Sequence, residues 1–207
     1  MEKNPAYWLK GAELSCIRDN RVLFEGLTFE LAPGQVLLLE GRNGSGKTSL
    51  LRILCGFREP DAGQVLWCGD AINESQYYAD MAYVGHLDGV KKELTVLENL
   101  KVSLALGLPG QYSIQQALAK VQLANYDDVL VQALSAGQKR RLSLARLLIT
   151  RHIVWILDEP FTSLDKQGIA LIESLMSEHC AGGGMIVLTS HHDIDLHGVD
   201  VQRIFLS

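Results

Sequence analysis

Cysteines and long apolar runs are scarce in this sequence. Its four cysteines stand far apart among 207 residues and form no C-x-x-C pair, which argues against a zinc knuckle or a redox motif and favours free, buried thiols. No apolar run approaches the roughly 18 residues that a helix needs to cross a bilayer. We therefore expect neither a zinc-binding module nor a membrane-spanning segment.

The sequence also lacks an excess of basic residues. Its formal net charge is −5, so no overall positive field attracts DNA or RNA, and we expect no nucleic-acid partner. Residues 1–6 carry neither the basic start nor the apolar core of a signal peptide, which predicts a chain that stays in the cytosol. Hydrophobic residues make up 47% and charged residues 21%, a globular composition whose length suits one domain over residues 1–207.

Residues 41–48 read G-R-N-G-S-G-K-T and match the phosphate-loop pattern G-x-x-x-x-G-K-[ST]. An apolar run at residues 36–40 predicts a buried strand before the loop, and residues 49–54 predict a helix after it. A loop in this position turns backbone N–H groups towards phosphate oxygens, and the helix start adds more of them. The sequence therefore predicts a nucleoside triphosphate site, with Lys47 at the β- and γ-phosphates and the Thr48 hydroxyl on Mg²⁺. Its predicted lining is Gly41, Arg42, Asn43, Gly44, Ser45, Gly46, Lys47, Thr48 and Ser49.

Strand-like and helical patterns follow one another along the rest of the chain. Residues 9–17, 23–31 and 64–68 predict a small antiparallel sheet beside the nucleotide. The pattern is mostly helical over residues 94–151, where Thr95 is placed to cap a helix. Unbroken apolar strands then alternate with helices, which is typical of a parallel α/β sheet that binds ligands at the carboxyl ends of its strands.

Two carboxylates and a histidine follow two of these buried strands. Asp158 ends the strand at 153–157 and is predicted to hold Mg²⁺ through water, whereas Glu159 is predicted to orient or deprotonate the attacking water. The alternative is that both acids only begin a turn before Pro160. His191 follows the strand at 185–189 and is predicted to contact the γ-phosphate.

Residues 134–146, L-S-A-G-Q-K-R-R-L-S-L-A-R, predict a second anion site. Ser135 reads as an N-cap and Gly137 precedes a helix whose Leu142, Ala145 and Ile149 lie on one face, so backbone N–H groups at this helix start are expected to bind an anion. One chain with two phosphate-binding helix starts suggests a head-to-tail dimer, in which each copy completes the site of the other.

Taken together, these motifs resemble those of the ATP-binding-cassette (ABC) ATPases, and the resemblance covers nearly the whole chain. The matching segments are Walker A at 41–48, the signature at 134–138 with Ala136 in place of a glycine, Walker B with its catalytic glutamate at 153–159, the D-loop at 163–165 and the switch histidine at His191.

The resemblance implies an α/β fold with a P-loop NTPase (RecA-like) parallel core. A small antiparallel β subdomain and a helical subdomain inserted at about 87–150 would accompany that core. The resemblance also implies a head-to-tail homodimer around two ATP molecules, in which Ser135 and Gly137 of one copy contact the γ-phosphate held by the other and Gln138 also binds the nucleotide.

Two positions depart from the family pattern. The family has a glutamine that senses Mg²⁺ and the membrane partner where this chain reads V-G-H-L-D at residues 84–88, so His86 is the expected substitute at the metal. The family also has an aromatic residue that stacks on adenine, and the corresponding residue here is Arg18. A guanidinium can stack on a base, but it predicts weak selectivity for adenine.

These departures and their surroundings are similar to the ATP-binding subunits of the bacterial cytochrome c maturation complex, a haem exporter. That similarity implies a peripheral protein on the cytoplasmic face of the inner membrane, docked on integral membrane subunits, whose ATP hydrolysis is coupled to haem delivery. The alternatives are the ATPase subunit of another ABC transporter and a soluble ABC ATPase of translation or repair. The segments that carry the similarity are 85–89, 93–100, 134–138 and 155–162.

Overall fold

Nine strands and six α-helices make up residues 7–207, the part of the chain that this computed structural model describes. Residues 1–6, on which the signal-peptide argument rests, lie outside it. In chain order the elements are β1 (Leu9–Arg18), β2 (Arg21–Leu31), β3 (Gln35–Gly41), α1 (Lys47–Leu54), β4 (Ala62–Trp67), β5 (Asp70–Ala71), α2 (Tyr77–Asp80), β6 (Met81–Val84), α3 (Val96–Leu106), α4 (Ile114–Lys120), a 3₁₀ turn (Val131–Ala133), α5 (Ala136–Ile149), β7 (Val154–Asp158), α6 (Lys166–Ala181), β8 (Met185–Thr189) and β9 (Asp200–Leu206).

Five parallel strands form the central sheet, in the order β6-β7-β8-β3-β9. Leu37 of β3 lies opposite Val187 of β8 on one side and Gln202 of β9 on the other. Asp158, at the end of β7, is paired with Thr189, at the end of β8. The carboxyl ends of β3, β7 and β8 therefore meet at one edge of the sheet, where the phosphate loop begins.

The parallel sheet is buried on both faces. Val36 and Leu38 of β3 belong to a core shared with helices α3 to α6, whereas Leu37 and Leu39 belong to a second core with α1 and the antiparallel sheet. These four side chains are at most 1% exposed. Burial on both faces explains why the predicted strands at 36–40, 153–157 and 185–189 read as unbroken apolar runs.

The antiparallel sheet has the strand order β2-β1-β4-β5. The three strands predicted for it are confirmed as β1, β2 and β4, with slightly different ends. Asp19 and Asn20 join β1 to β2 with φ angles of 51° and 59°. A two-residue hairpin turn needs this left-handed backbone, which Asp and Asn adopt more readily than most residues.

Three helices of the segment between β6 and β7 begin with the same capping arrangement. Thr95, Ser113 and Ser135 are the N-caps of α3, α4 and α5, and each hydroxyl accepts from the N–H three residues further on. The side chain of that third residue, a Glu or Gln, accepts in return from the N–H of the cap. The predicted caps at Thr95 and Ser135 are thus confirmed, and each reciprocal pair satisfies two donors that would otherwise be free.

The predicted fold class is confirmed, since a parallel α/β core, an antiparallel sheet and a helical segment are all present. Strand β9 was not predicted, although it completes the core beside β3. The limits of a single domain and of a helical subdomain at about 87–150 stay predictions. None of the helices within residues 7–207 is both long and apolar enough to cross a bilayer. Cys16, Cys55 and Cys180 are buried free thiols as expected, whereas Cys68 is exposed in the turn between β4 and β5.

Candidate nucleotide-binding and hydrolysis site

The phosphate loop joins β3 to α1 through glycines in left-handed conformations. Gly41, Gly44 and Gly46 have φ angles of 140°, 81° and 107°. A Cβ atom on Gly41 would lie 2.2 Å from the carbonyl oxygen of Leu206, so only glycine lets the loop pass this close to β9. Around Gly44, no described atom beyond its two neighbours in the chain lies within 4 Å of the corresponding position. The loop backbone is therefore open to an approaching anion.

Helix α1 adds free N–H groups directly after this loop. Gly46 is its N-cap, so the N–H groups of Lys47, Thr48 and Ser49 have no acceptor within the helix. Ser49 is 9% exposed, and its backbone N–H remains for a phosphate.

Lys47 is buried at the base of the loop, with 8% of its surface exposed. Its Nζ atom donates to the carbonyl oxygens of Gly41, at 2.6 Å, and Arg42, at 3.1 Å. Nearby, Ser45 Oγ is buried and has no hydrogen-bond partner within residues 7–207. A buried polar atom without a partner is costly, so the loop offers both a cation and an unused hydroxyl to an added acceptor. Arg42 and Asn43 are exposed at the rim.

Oxygen donors from the loop and from β7 meet beside Lys47. Thr48 Oγ1 lies 3.4 Å from Asp158 Oδ2, and Thr189 Oγ1 donates to Asp158 Oδ1 at 2.8 Å. Asp158 is 5% exposed, and the Thr189 hydrogen bond sets the orientation of its carboxylate. Thr48 and Asp158, two of the three side chains that the sequence predicts for the metal, are therefore adjacent, and a hydroxyl with a carboxylate is a donor set that Mg²⁺ prefers.

Glu159 and His191 face each other at the same edge. His191 Nε2 lies 3.3 Å from Glu159 Oε1, and the Glu159 side chain is 18% exposed against 54% for His191. The Glu159 N–H donates to Thr189 Oγ1 at 2.9 Å, so one threonine orients both consecutive acids. Glu159 has a φ angle of 50°, which is uncommon for a residue other than glycine. The carboxylate is thereby carried on a strained turn that the surrounding contacts maintain.

The second predicted anion site lies at the start of α5 and faces solvent. Ser135 is exposed, and its hydrogen bonds with Gln138, at 3.2 and 2.8 Å, stay within the helix. A Cβ atom on Gly137 would lie 2.7 Å from the Ser163 carbonyl oxygen, so glycine is required there. Among the described residues, no hydrogen bond joins this helix start to the phosphate loop of the same chain.

The two residues that depart from the family pattern differ in position. Arg18 ends β1 with 63% of its side chain exposed, and its Nε atom lies 3.5 Å from Asp19 Oδ2. His86 is exposed and follows Val84, which pairs with Leu157 just before the metal-site aspartate. His86 therefore lies at the edge of the sheet that carries the site, and its role stays a prediction.

Arg140 of α5 was missed by the sequence reasoning, although it contacts both loops at this edge. It is 2% exposed, and it donates to the Gly85 carbonyl at 2.7 Å and to the three successive carbonyls of 158–160, at 2.7, 2.7 and 3.1 Å. Its carboxylate partner is Asp88, at 3.6 Å. The sequence did contain one indication of this role, because Arg140 is a charged residue on the apolar face of α5, four positions before the buried Leu144.

Comparison with known proteins assigns this arrangement to a family. The sequence profile of the ABC transporter family matches residues 24–162. The chain is 50% identical over 198 residues to the cytochrome c biogenesis ATP-binding export protein CcmA of Methylococcus capsulatus, covering 94% of this chain and 95% of that protein. The CcmA protein of Photobacterium profundum is 48% identical over 209 residues, covering 94% and 97%.

Solved structures agree with the fold. An ABC transporter ATP-binding protein from Pyrococcus furiosus superposes with a TM-score of 0.83 at 24% identity, covering 96% of this chain and 97% of that one. The ATP-binding subunit of another ABC transporter superposes with a TM-score of 0.78 at 26% identity, covering 88% and 79%. The chain belongs to the ABC transporter family, and it is an ABC-type ATPase that resembles the CcmA proteins.

Proposed function

We propose that this chain is the ATP-hydrolysing subunit of a membrane complex that exports haem during cytochrome c biogenesis. The contact of His191 with Glu159 at 3.3 Å, beside Asp158 and the phosphate loop, carries the proposal of hydrolysis. The biological part rests on relatives up to 50% identical that are named as cytochrome c biogenesis export proteins. It also rests on the motif similarity to haem-exporter subunits.

ATP would bind with its phosphates on the loop at 41–49. The open backbone at Gly44, the unused Ser45 hydroxyl and the Lys47 ammonium suit a polyanion that needs several donors. The Thr48 hydroxyl and, through water, Asp158 would hold Mg²⁺, with His86 beside them. Bound there, Mg²⁺ would neutralise charge on the β- and γ-phosphates.

Glu159 would act as the general base for the attacking water. The water oxygen forms a bond to the γ-phosphorus, the bond from that phosphorus to the ADP oxygen breaks, and the water proton passes to the Glu159 carboxylate. His191, within 3.3 Å of that carboxylate, would orient it and contact the γ-phosphate. Lys47 would stabilise the charge on the leaving oxygens.

The exposed start of α5 supports a head-to-tail homodimer in the ATP-bound state. In the first turn of α5, the N–H groups of Ala136 and Gly137 have no acceptor within the helix, whereas those of Ser135 and Gln138 are engaged in the reciprocal cap. A second copy could set its γ-phosphate against this helix start, where the dipole favours an anion. ATP would then hold the two chains together.

Integral membrane subunits would bind in the groove beside residues 87–106. A cavity of about 370 Å³ lies there between α3, α5 and β6. Leu87 and Leu106 are 83% and 85% exposed, which suits an apolar partner segment. This binding would hold the chain on the cytoplasmic face of the inner membrane as a peripheral subunit.

The principal test of the biological proposal is Glu159→Gln in cells. We expect haem to be loaded onto the periplasmic haem chaperone but not passed on, so haem-stained c-type cytochromes disappear while other haem proteins persist. Glu74→Gln, an exposed acid distant in sequence from the site, is the matched control and should leave cytochrome levels unchanged.

Normal cytochrome c levels in the expressed Glu159→Gln strain, with no second gene copy, would contradict the haem-export proposal. The ATPase subunit of another ABC transporter would then be the better interpretation. A soluble ABC ATPase would be favoured instead if the chain did not copurify with any membrane subunit.

A further inference from the structure

Glu159 has a backbone conformation that needs external support. Its φ angle of 50° lies in the left-handed region, where a side chain bearing a Cβ atom is strained. The Thr189 hydroxyl accepts from the Glu159 N–H at 2.9 Å and so fixes the amide on one side of the turn. Within the turn the Glu159 carbonyl accepts from the Thr162 N–H at 3.2 Å, and a restraint from outside the turn would fix its carbonyls against the neighbouring elements.

Arg140 supplies that restraint from helix α5. Its Nη2 atom donates to the Asp158 and Glu159 carbonyls, each at 2.7 Å, and its Nε atom donates to the Pro160 carbonyl at 3.1 Å. Its Nη1 atom donates to the Gly85 carbonyl at 2.7 Å, in the segment that follows β6. The guanidinium thus binds three successive carbonyls around the glutamate and links them to the neighbouring loop.

We propose that Arg140 is a positioning residue for hydrolysis, which holds the backbone at 158–160 in the turn that aims the Glu159 carboxylate. The proposal rests on the proposed role of Glu159 as the general base. It adds a connection between the signature helix, the turn after β7 and the segment after β6. Movement of the segment after β6 would pass from Gly85 and Asp88 to Arg140, and from Arg140 to Glu159.

A guanidinium suits this place better than any other side chain. It offers donors on three nitrogens in a rigid plane, so it can bind four carbonyls that point from two loops. A lysine ammonium is a single point with three donors and cannot span the same set. Asp88, 3.6 Å from Nη1, compensates the charge that burial would otherwise disfavour.

The next arginine of α5 provides a matched control. Arg141 donates to the Val121 carbonyl at 3.4 Å and to Gln122 Oε1 at 3.1 Å, both next to helix α4. Its described hydrogen bonds do not include the turn at 158–160. Arg141→Lys therefore makes the same chemical change on the same helix without touching the glutamate.

The test compares Arg140→Lys, Arg140→Gln and Arg141→Lys in the full chain, alone or with its membrane subunits, whichever preparation hydrolyses ATP. We measure kcat, the Kd for ATP and thermal unfolding of each variant, and we repeat kcat with Glu159→Gln added. Arg140→Lys should lower kcat by about 10- to 100-fold, the cost of a misplaced catalytic group. The Kd for ATP should change by less than about twofold, because the phosphate loop is untouched.

The double variant separates positioning from a structural role. If Arg140 acts through Glu159, adding Arg140→Lys to Glu159→Gln should cause no further loss of kcat, because the carboxylate that it positions is already gone. Folded Arg140→Gln should lower kcat more than Arg140→Lys does. Arg141→Lys should have the kcat of the wild type.

Three results would overturn the proposal. They are an Arg140→Lys kcat within about twofold of the wild type, an equal loss of kcat in the Glu159→Gln background, and an Arg140→Lys chain that no longer binds ATP and so needs Arg140 for its fold. Wild-type turnover by Glu159→Gln alone would contradict the proposed base instead, and that variant is measured separately.

Discussion

The surroundings of buried polar groups differ between the two edges of the parallel sheet. At the carboxyl edge, Asp158 is 5% exposed but stays hydrogen-bonded to Thr189. At the amino edge, Trp155 stacks on His179 with ring centroids 3.8 Å apart, beside a cavity of about 610 Å³. Burial lowers the pKa of His179 to about 4 and also lowers the pKa of His152.

This difference shows that the same strands can serve chemistry at one end and stability at the other. The carboxyl edge surrounds its acids with donors, so charged groups can remain buried there. At the amino edge, His179 stacks on Trp155 and His152 is also buried, and burial favours the neutral imidazole of both. Substitutions at the first edge should therefore change turnover, and substitutions at the second should change the pH dependence of folding.

The largest expected effect is at the carboxyl edge. Glu159→Gln should keep ATP binding but lose about 10²- to 10⁴-fold in turnover, the usual contribution of a positioned base. Lys47→Ala should instead weaken ATP binding itself, because it removes the cation of the loop. Turnover, ATP affinity and thermal unfolding of the two variants would be compared, and size-exclusion chromatography with ATP should show Glu159→Gln accumulating as a dimer.

Wild-type turnover by Glu159→Gln would show that the base is another group. A large loss of thermal stability in the same variant would contradict the contrast between the two edges, since the carboxyl edge would then be needed for folding.

The next effect is expected at the amino edge, where the neutral form of His179 is favoured by folding. The free imidazole has a pKa of 6.5 and the folded one about 4, so the unfolded chain binds more protons between these values. Stability is complete above about pH 6.5 and is lost as the pH falls towards 4, by about 3 kcal/mol in the free energy of unfolding. Denaturant unfolding across this range measures the loss.

His179→Gln tests the assignment because glutamine does not titrate and can still donate to the Ile153 carbonyl, which lies 3.2 Å from His179 Nε2. The variant should reduce the slope of stability against pH, with the contribution of His152 remaining, while leaving turnover near neutrality unchanged. His197→Gln is the control, since His197 has a side chain that is 91% exposed. An equal slope for His179→Gln and the wild type would exclude His179 as its source.

The smallest expected effect concerns Arg18, which lies in neither edge. Its side chain is 63% exposed, so a stacked base would have few specific contacts. Binding should therefore discriminate poorly between ATP and GTP. Equilibrium titration of both nucleotides measures the ratio. A preference above about 100-fold, which is about 2.7 kcal/mol, would show that other residues read the base.

Local patterns were sufficient wherever the interacting groups lie close together in the chain. The caps at Thr95 and Ser135 depend on partners three residues away, and the left-handed glycines of the phosphate loop are part of one short motif. The buried strands were visible because two-sided burial requires continuous apolar sequence. Strand β9 was missed because most of its residues are partly or fully exposed and show no regular alternation, and its pairing with β3 joins segments at opposite ends of the chain.

The sequence by itself determined the phosphate loop, the helix starts and the order of the strands and helices before β9, because each depends on residues within one or two turns of backbone. The tertiary structure alone decided that Arg140 binds carbonyls 18 to 55 residues away. It also decided that Thr189 orients both acids after β7 and that His179 stacks on Trp155. These contacts depend on which strands lie side by side, and neighbouring strands are joined by backbone pairing and core packing that no local pattern encodes.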